Sequence, residues 1–144
     1  MPHTFQGVTS CDLVHTLFSP PYDRDAGCIF NVLPSYQRDV LGHWCLLWYS
    51  KSEHCIFYVD PLGLLPQNPS IIKLLQQTRL PIYFSPIQIQ GAASVFCGLH
   101  VIACLICFDR NLNLVDFFKL YSKTDFQHND EVSAQVIKAC LRQV

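Results

Sequence analysis

The sequence predicts an α+β domain in which a small sheet packs around one buried central helix, with further helices on its flanks. Three observations carry this expectation. Residues 42–60 hold two aromatic-rich runs on either side of the polar tetrad Ser50-Lys51-Ser52-Glu53, the pattern of a β-hairpin. Val95 to Phe108 is apolar on every side, which marks a helix enclosed by protein. Helical patterns stand near both ends of the chain, outside the strand signals.

Taken in order, Ser10 to Phe18 reads as a short helix capped by Ser10, with Leu13, Val14, Leu17 and Phe18 on one face. Pro20-Pro21 stops it, and Cys28 to Leu33 forms a first strand ended by Pro34. The hairpin strands follow, Gly42 to Tyr49 and His54 to Asp60, and Pro61-Leu62-Gly63 closes them. Asn68 then caps a helix with Pro69 at its first position, where a missing N–H costs nothing. That helix stops before Pro81. Ile82 to Phe84 and Ile87 to Ile89 read as one more strand, interrupted at Pro86. Ser94 is the expected cap of the central helix. Two helices close the chain, about Leu112 to Tyr121 and about Asp130 to Val144, the second capped by Asn129.

With 144 residues and no linker, repeat or low-complexity tract, the chain is expected to form a single domain over 1–144. Half of it is hydrophobic and only 15% is charged, against a usual ~25%, which excludes disorder and a coiled coil. The net charge is −1 and no stretch gathers four basic residues, so a nucleic-acid groove is not expected. The longest apolar run falls about five residues short of a membrane span. No secretion signal precedes it, and the reading is a soluble, intracellular protein with reduced thiols. Eight cysteines are present, but Cys104 and Cys107 form the only C-x-x-C. A ribbon-type zinc site needs a second such pair. No metal or other cofactor is expected.

Chemistry enters at three places. A two-residue hairpin loop at Lys51-Ser52 sets Tyr49 opposite His54 and carries His43 opposite Asp60, with Cβ atoms about 4.5–5.5 Å apart. The carboxylate can then take the Nδ1 proton of the imidazole and fix its tautomer; an ordinary cross-strand polar pair fits the same residues equally well. Cys97 falls in the first turn of the central helix, where the macrodipole and free N–H groups favour a thiolate. By itself it reads as another buried thiol. Gly98 follows it, although glycine inside a helix costs about 1 kcal/mol against alanine, so a close approach by substrate or another chain is expected there. Gln90 and the Cys97 N–H could together hold an oxyanion; a plain strand glutamine is the bland alternative. His100 reads as a core or network residue, and Trp44 and Trp48 as core on the hairpin face opposite His43.

Gly42-His43-Trp44, Asp60-Pro61-Leu62-Gly63, Gln90-Gly91 and Cys97-Gly98-Leu99 stand in this order. Together they resemble the adenovirus protease (adenain) family and the wider group of ubiquitin-like-protein proteases. The resemblance runs from about Gly42 to Phe108. It implies a papain-like (reordered) cysteine protease fold, with His43 as general base, Asp60 as its orienting acid, Cys97 as nucleophile and Gln90 as oxyanion donor. It further implies a viral maturation endopeptidase acting on precursor capsid or core polypeptides in the host-cell nucleus and the virion. The competing readings are an isopeptidase acting on ubiquitin or a related modifier, an acetyltransferase with a basic cofactor pocket, and an inactive scaffold of the same fold. An activating peptide and a DNA cofactor are also family traits. Residues 61–89 contain no Cys to tether such a peptide, and the charge offers no stripe for DNA.

Overall fold

The computed structural model describes residues 5–33 and 42–143. Pro34 and Val144, expected to end a strand and the last helix, lie outside them. The hairpin supplies the two inner strands of a five-stranded sheet, β3 (Trp44–Ser50) and β4 (Cys55–Val59). On one side β2 (Ala26–Asn31) joins β3 antiparallel, and β1 (Phe5–Ser10) joins β2 in parallel. On the other, β5 (Ile82–Phe84) joins β4 in parallel after a crossover through α1 (Pro69–Thr78). The strands therefore lie in sequence order across a mixed sheet.

Both faces of this sheet are covered. Leu46, Trp48, Phe57 and Val59 pack under α2 (Cys97–Asp109), α3 (Leu114–Phe118) and α4 (Phe126–Leu141). Cys45, Leu47, Tyr49, Ile56 and Tyr58 face a second core, roofed by α1 and a 3₁₀ turn over Cys11–Thr16. A sheet buried on both sides needs continuous apolar runs rather than alternation, which is how the hairpin sequence reads. α2 is buried on most of its surface, with His100, Val101, Cys104 and Leu105 fully enclosed, but it is not covered all round as expected, since Ile102 is 41% exposed.

The structure departs from the sequence reading at several places, each with a local cause. β1 was not foreseen: it is a short edge strand carrying Gly7 at φ 137°, with no alternation to reveal it. The Ser10–Phe18 segment is a 3₁₀ turn rather than an α-helix, Ser10 makes no side-chain cap, and Leu13 is exposed. The strand expected to run on to Ile89 stops at Phe84, after which Ile89 and Gln90 donate backbone N–H bonds to Pro61 O. α1 begins as expected, with Asn68 Oδ1 accepting from the Ser70 and Ile71 amides. The final helix starts earlier than expected. Asp125 caps it by accepting from His128 N, which releases Asn129 for another role.

Candidate active site

Four elements converge at one end of the hairpin. His43 immediately precedes β3, Asp60 immediately follows β4, Cys97 opens α2, and Gln90 lies in the connection from β5 to α2. His43 Nε2 and Asp60 Oδ1 lie 2.5 Å apart. The Cys97 thiol lies near enough to the His43 ring for each to shift the other's ionisation.

The route to this arrangement differs from the one expected. The hairpin loop is Lys51–His54, four residues long with His54 at φ 51°, and not a two-residue turn. Ser50 consequently pairs with Cys55 and Leu46 with Val59. Continued past the strand ends, this register puts Cys45, rather than His43, opposite Asp60. His43 then meets Asp60 on the diagonal, a span of about 7–8 Å that an imidazole bridges. The slip is by an even number of residues, so no side chain changes face, and the pair survives. The carboxylate also engages Nε2, not Nδ1 as expected, which leaves Nδ1 for the thiol side.

Asp60 is held before it meets the imidazole. Its backbone N–H donates to Ser85 Oγ at 2.8 Å, and its Oδ1 accepts the Leu62 N–H at 2.8 Å. The turn is completed by Gly63 N–H donating to Asp60 O. Gly63 sits at φ 71°, where any Cβ would come within 3.0 Å of the Gln88 amide nitrogen, so the turn requires glycine. The acid-Pro-x-Gly sequence is thus a device for aiming one carboxylate.

Cys97 is the first residue of α2, with Phe96 in the cap position and no side-chain cap. Ser94, the expected cap, instead accepts the Phe96 N–H one turn earlier. The opening N–H groups of a helix have no partner inside it, and an uncapped start leaves them available to an anion. Burial alone would raise the Cys97 pKa, since the residue is 6% exposed. Hydrogen bonds to His43 and to the Trp44 and Gly98 backbone amides, with the His43 charge, outweigh burial, and the net shift is downward from 9.0. For His43, burial lowers the pKa, but hydrogen bonds to Asp60, Cys45 and Cys97 overcome it and raise the value above 6.5. Each partner stabilises the charged form of the other. The arrangement favours a thiolate–imidazolium pair, with the carboxylate behind the ring.

Cys45 is the neighbour the sequence reading missed. It is fully buried, its sulfur lies within 4.8 Å of a ring nitrogen of His43, and it accepts from Tyr58 OH at 3.8 Å. Burial dominates here, and with Asp60 nearby the Cys45 thiol is pushed up to about 11. The two thiols beside this ring are therefore shifted in opposite directions, and backbone N–H groups act on Cys97 but not on Cys45. The true register was the missing signal. Among the described residues, the ligand atoms of His43, Cys45 and Asp60 all lie within 4.8 Å of one another and are the group able to hold a metal ion.

Gln90 is 2% exposed, and its Nε2 donates to Ser94 O at 2.8 Å. Its Oε1 is buried without a partner. These bonds do not join it to the other three residues directly, but they fix the carboxamide in the loop leading to Cys97. Asn129 anchors the same loop by donating to Ile89 O at 3.1 Å and to Ser122 O at 2.7 Å. It was expected as a helix cap. His100 is a buried network residue as expected, with Nδ1 at 2.7 Å from Ser133 Oγ and Nε2 at 2.9 Å from Asp130 Oδ1. An alanine Cβ at Gly98 would meet no protein atom within 4 Å, so packing does not demand glycine there.

The fold and the Cys–His–Asp geometry together define a chain with a cysteine-protease fold. The pS273R protease of ASFV shares it at a TM-score of 0.61 and 14% identity, over 90% of this chain and 60% of that one. HopZ1a, solved in complex with IP6, superposes at a TM-score of 0.50 and 14% identity over 88% of this chain and 43% of that one. The SUMO protease Ulp1 aligns at 16% identity with a TM-score of only 0.44, over 81% and 54% of the two chains. The chain thus spans less than two thirds of each of these proteins. No protein-family model and no curated protein sequence matches it. Among the described residues no helix is long and apolar enough to cross a membrane.

Proposed function

We propose that this chain is a cysteine endopeptidase of the adenain type that processes viral precursor polypeptides, with Cys97 as nucleophile. The observation that carries the reading is the His43–Asp60 hydrogen bond with the Cys97 thiol beside the imidazole at an uncapped helix start. In the reaction the Cys97 sulfur attacks the substrate carbonyl carbon and the carbonyl electrons move to oxygen. The helix-start N–H of Cys97 faces the developing oxyanion. His43 gives its proton to the leaving amine as the C–N bond breaks. It then takes a proton from water, which hydrolyses the thioester and frees the thiol. Asp60 holds Nε2–H throughout and stabilises the imidazolium.

Gln90 acts in this scheme as oxyanion donor through the second hydrogen of its amide, the first being spent on Ser94 O. The viral maturation role is supported by the His, acid-Pro-Leu-Gly, Gln-Gly, Cys-Gly-Leu order, and by the fold shared with pS273R. Digestion of a proteome-derived peptide library by the wild type and by Cys97→Ala tests the proposal. Cys97-dependent cuts at a consistent sequence support it. Turnover confined to modifier conjugates would replace it with the isopeptidase reading.

A further inference from the structure

His43 has a second set of neighbours besides the catalytic thiol. One of its ring nitrogens, Cys45 Sγ and a carboxylate oxygen of Asp60 lie within 4.8 Å of one another, and Cys97 is outside this group. A nitrogen, a sulfur and an oxygen are the donor types that zinc accepts, and three protein ligands leave its fourth position to water. Thiolate with imidazole selects thiophilic ions, whereas magnesium and calcium take oxygen ligands. On a tetrahedral zinc with bonds of about 2.0–2.3 Å, such donors stand roughly 3.5 Å apart. Shifts of about 1 Å bring the three side chains to that spacing and open the His43–Asp60 hydrogen bond from its 2.5 Å. Outer partners are in place. Tyr58 OH donates to Cys45 Sγ at 3.8 Å and Leu62 N–H to Asp60 Oδ1 at 2.8 Å, the kind of bonds that orient metal ligands. Cys45 and Asp60 are buried, and the His43 side chain, 18% exposed, is the member that meets solvent.

We propose that His43, Cys45 and Asp60 form an inhibitory site for a thiophilic divalent cation of the zinc class. Nε2 is the nitrogen that faces Asp60, so the ion takes that nitrogen in place of its proton. It also displaces the Cys45 thiol proton, and both protons leave to solvent. A thiol pushed up to about 11 stays protonated in the metal-free protein, and coordination is what deprotonates it. A ring that has lost its Nε2 proton to a metal is no longer an imidazolium. Its remaining Nδ1–H cannot accept the Cys97 proton and is a weaker acid toward the leaving amine. The reaction stops at its proton steps although the ion never touches Cys97. The inhibition rests on the cysteine-protease reading; the metal site itself does not.

Cobalt, which absorbs strongly when bound to a thiolate, reads the site without any turnover. Cys97→Ala protein, kept reduced by a non-thiol reductant, is titrated with Co²⁺ and then with Zn²⁺. An equimolar complex with a sulfur-to-cobalt charge-transfer band should form, Zn²⁺ should abolish the band, and excess Mg²⁺ should not. Cys45→Ser in the same background should weaken binding at least about ten-fold, the lower end of what losing a metal-site partner costs. No band in the parent, or a band that Cys45→Ser leaves unchanged, overturns the proposal. X-ray absorption at the zinc edge of the Cys97→Ala complex needs no second variant: a single sulfur among nitrogen and oxygen ligands is expected, and none or two overturns it. In the wild type, Zn²⁺ should inhibit peptide turnover reversibly at free concentrations that also fill the Cys97→Ala protein. Inhibition that Cys45→Ser leaves undiminished, relative to that variant's own metal-free rate, would put the ion on Cys97 and overturn the proposal. Absence of any Cys97-dependent turnover would instead remove the protease reading, while the cobalt and zinc measurements still decide the metal site.

Discussion

Cys97 and Cys45 share one imidazole yet differ in chemistry, and the difference lies in their surroundings. Cys97 has the Trp44 and Gly98 amides in addition to His43, while Cys45 has burial and the Asp60 charge against ionisation. Iodoacetamide at pH 7 should modify Cys97 before Cys45 and Cys104, as read by peptide mapping. The half-maximal alkylation pH of Cys97 should lie below 9.0. His43→Ala should move it upward, because the hydrogen bond and the positive charge are both lost. With Cys97 lowered and His43 raised, kcat/KM should rise through the Cys97 pKa and fall through that of His43. Asp60→Asn removes a bond that raises the His43 value, so the alkaline limb should move to lower pH. Gln90→Ala should cost about 10²–10³ in kcat, the usual loss for one oxyanion donor. Little change would place Gln90 in loop support alone, through Ser94.

The elements that bring these residues together were unevenly legible in the sequence. The α1 start was readable because Asn68 and Pro69 are local signals that tertiary packing reinforces. The His43–Asp60 pairing was readable although the hairpin loop was misjudged, since an even slip preserves the face. The same misjudgement hid Cys45. Asn129 was misplaced because Asn is as good a cap as Asp125, and only the packing of α4 on the Ile89 loop separates their tasks. Asn129→Ala should therefore lower kcat/KM by loosening the Gln90 segment; activity unchanged at full stability would contradict the clamp. Gly98→Ala separates packing from function. It should leave stability unchanged or raise it by up to about 1 kcal/mol, since a Cβ meets open space. Activity should fall if substrate passes over that position.

At the scale of the whole molecule, the sheet is the wall between two cores, and the site forms where α2 meets its end. Leu46 is fully buried in the core under α2, and Leu46→Ala should cost about 2–5 kcal/mol in denaturant unfolding. His100 ties α2 to α4 from inside this core. Burial lowers its pKa and the Asp130 bond only partly offsets this, so the folded value lies below 6.5. The unfolded chain then binds more protons than the folded one below that pH, and stability should drop as pH falls from about 6.5 toward the folded value. His100→Gln should flatten this part of the stability–pH curve. The sequence reading did not separate the two cores, although the unbroken apolar runs of the hairpin suit them, and it missed the edge strand β1 because nothing in Phe5–Ser10 repeats or alternates.

The central claim is that Cys97 attacks a peptide carbonyl with His43 as its proton carrier. Its most direct measurement is intact-mass spectrometry of the enzyme quenched in acid during turnover of a peptide from the library digest. A mass increase equal to the acyl fragment, mapped to Cys97 and absent from Cys97→Ala, is the predicted result. Turnover without any adduct on Cys97, or undiminished turnover by Cys97→Ala, would contradict it.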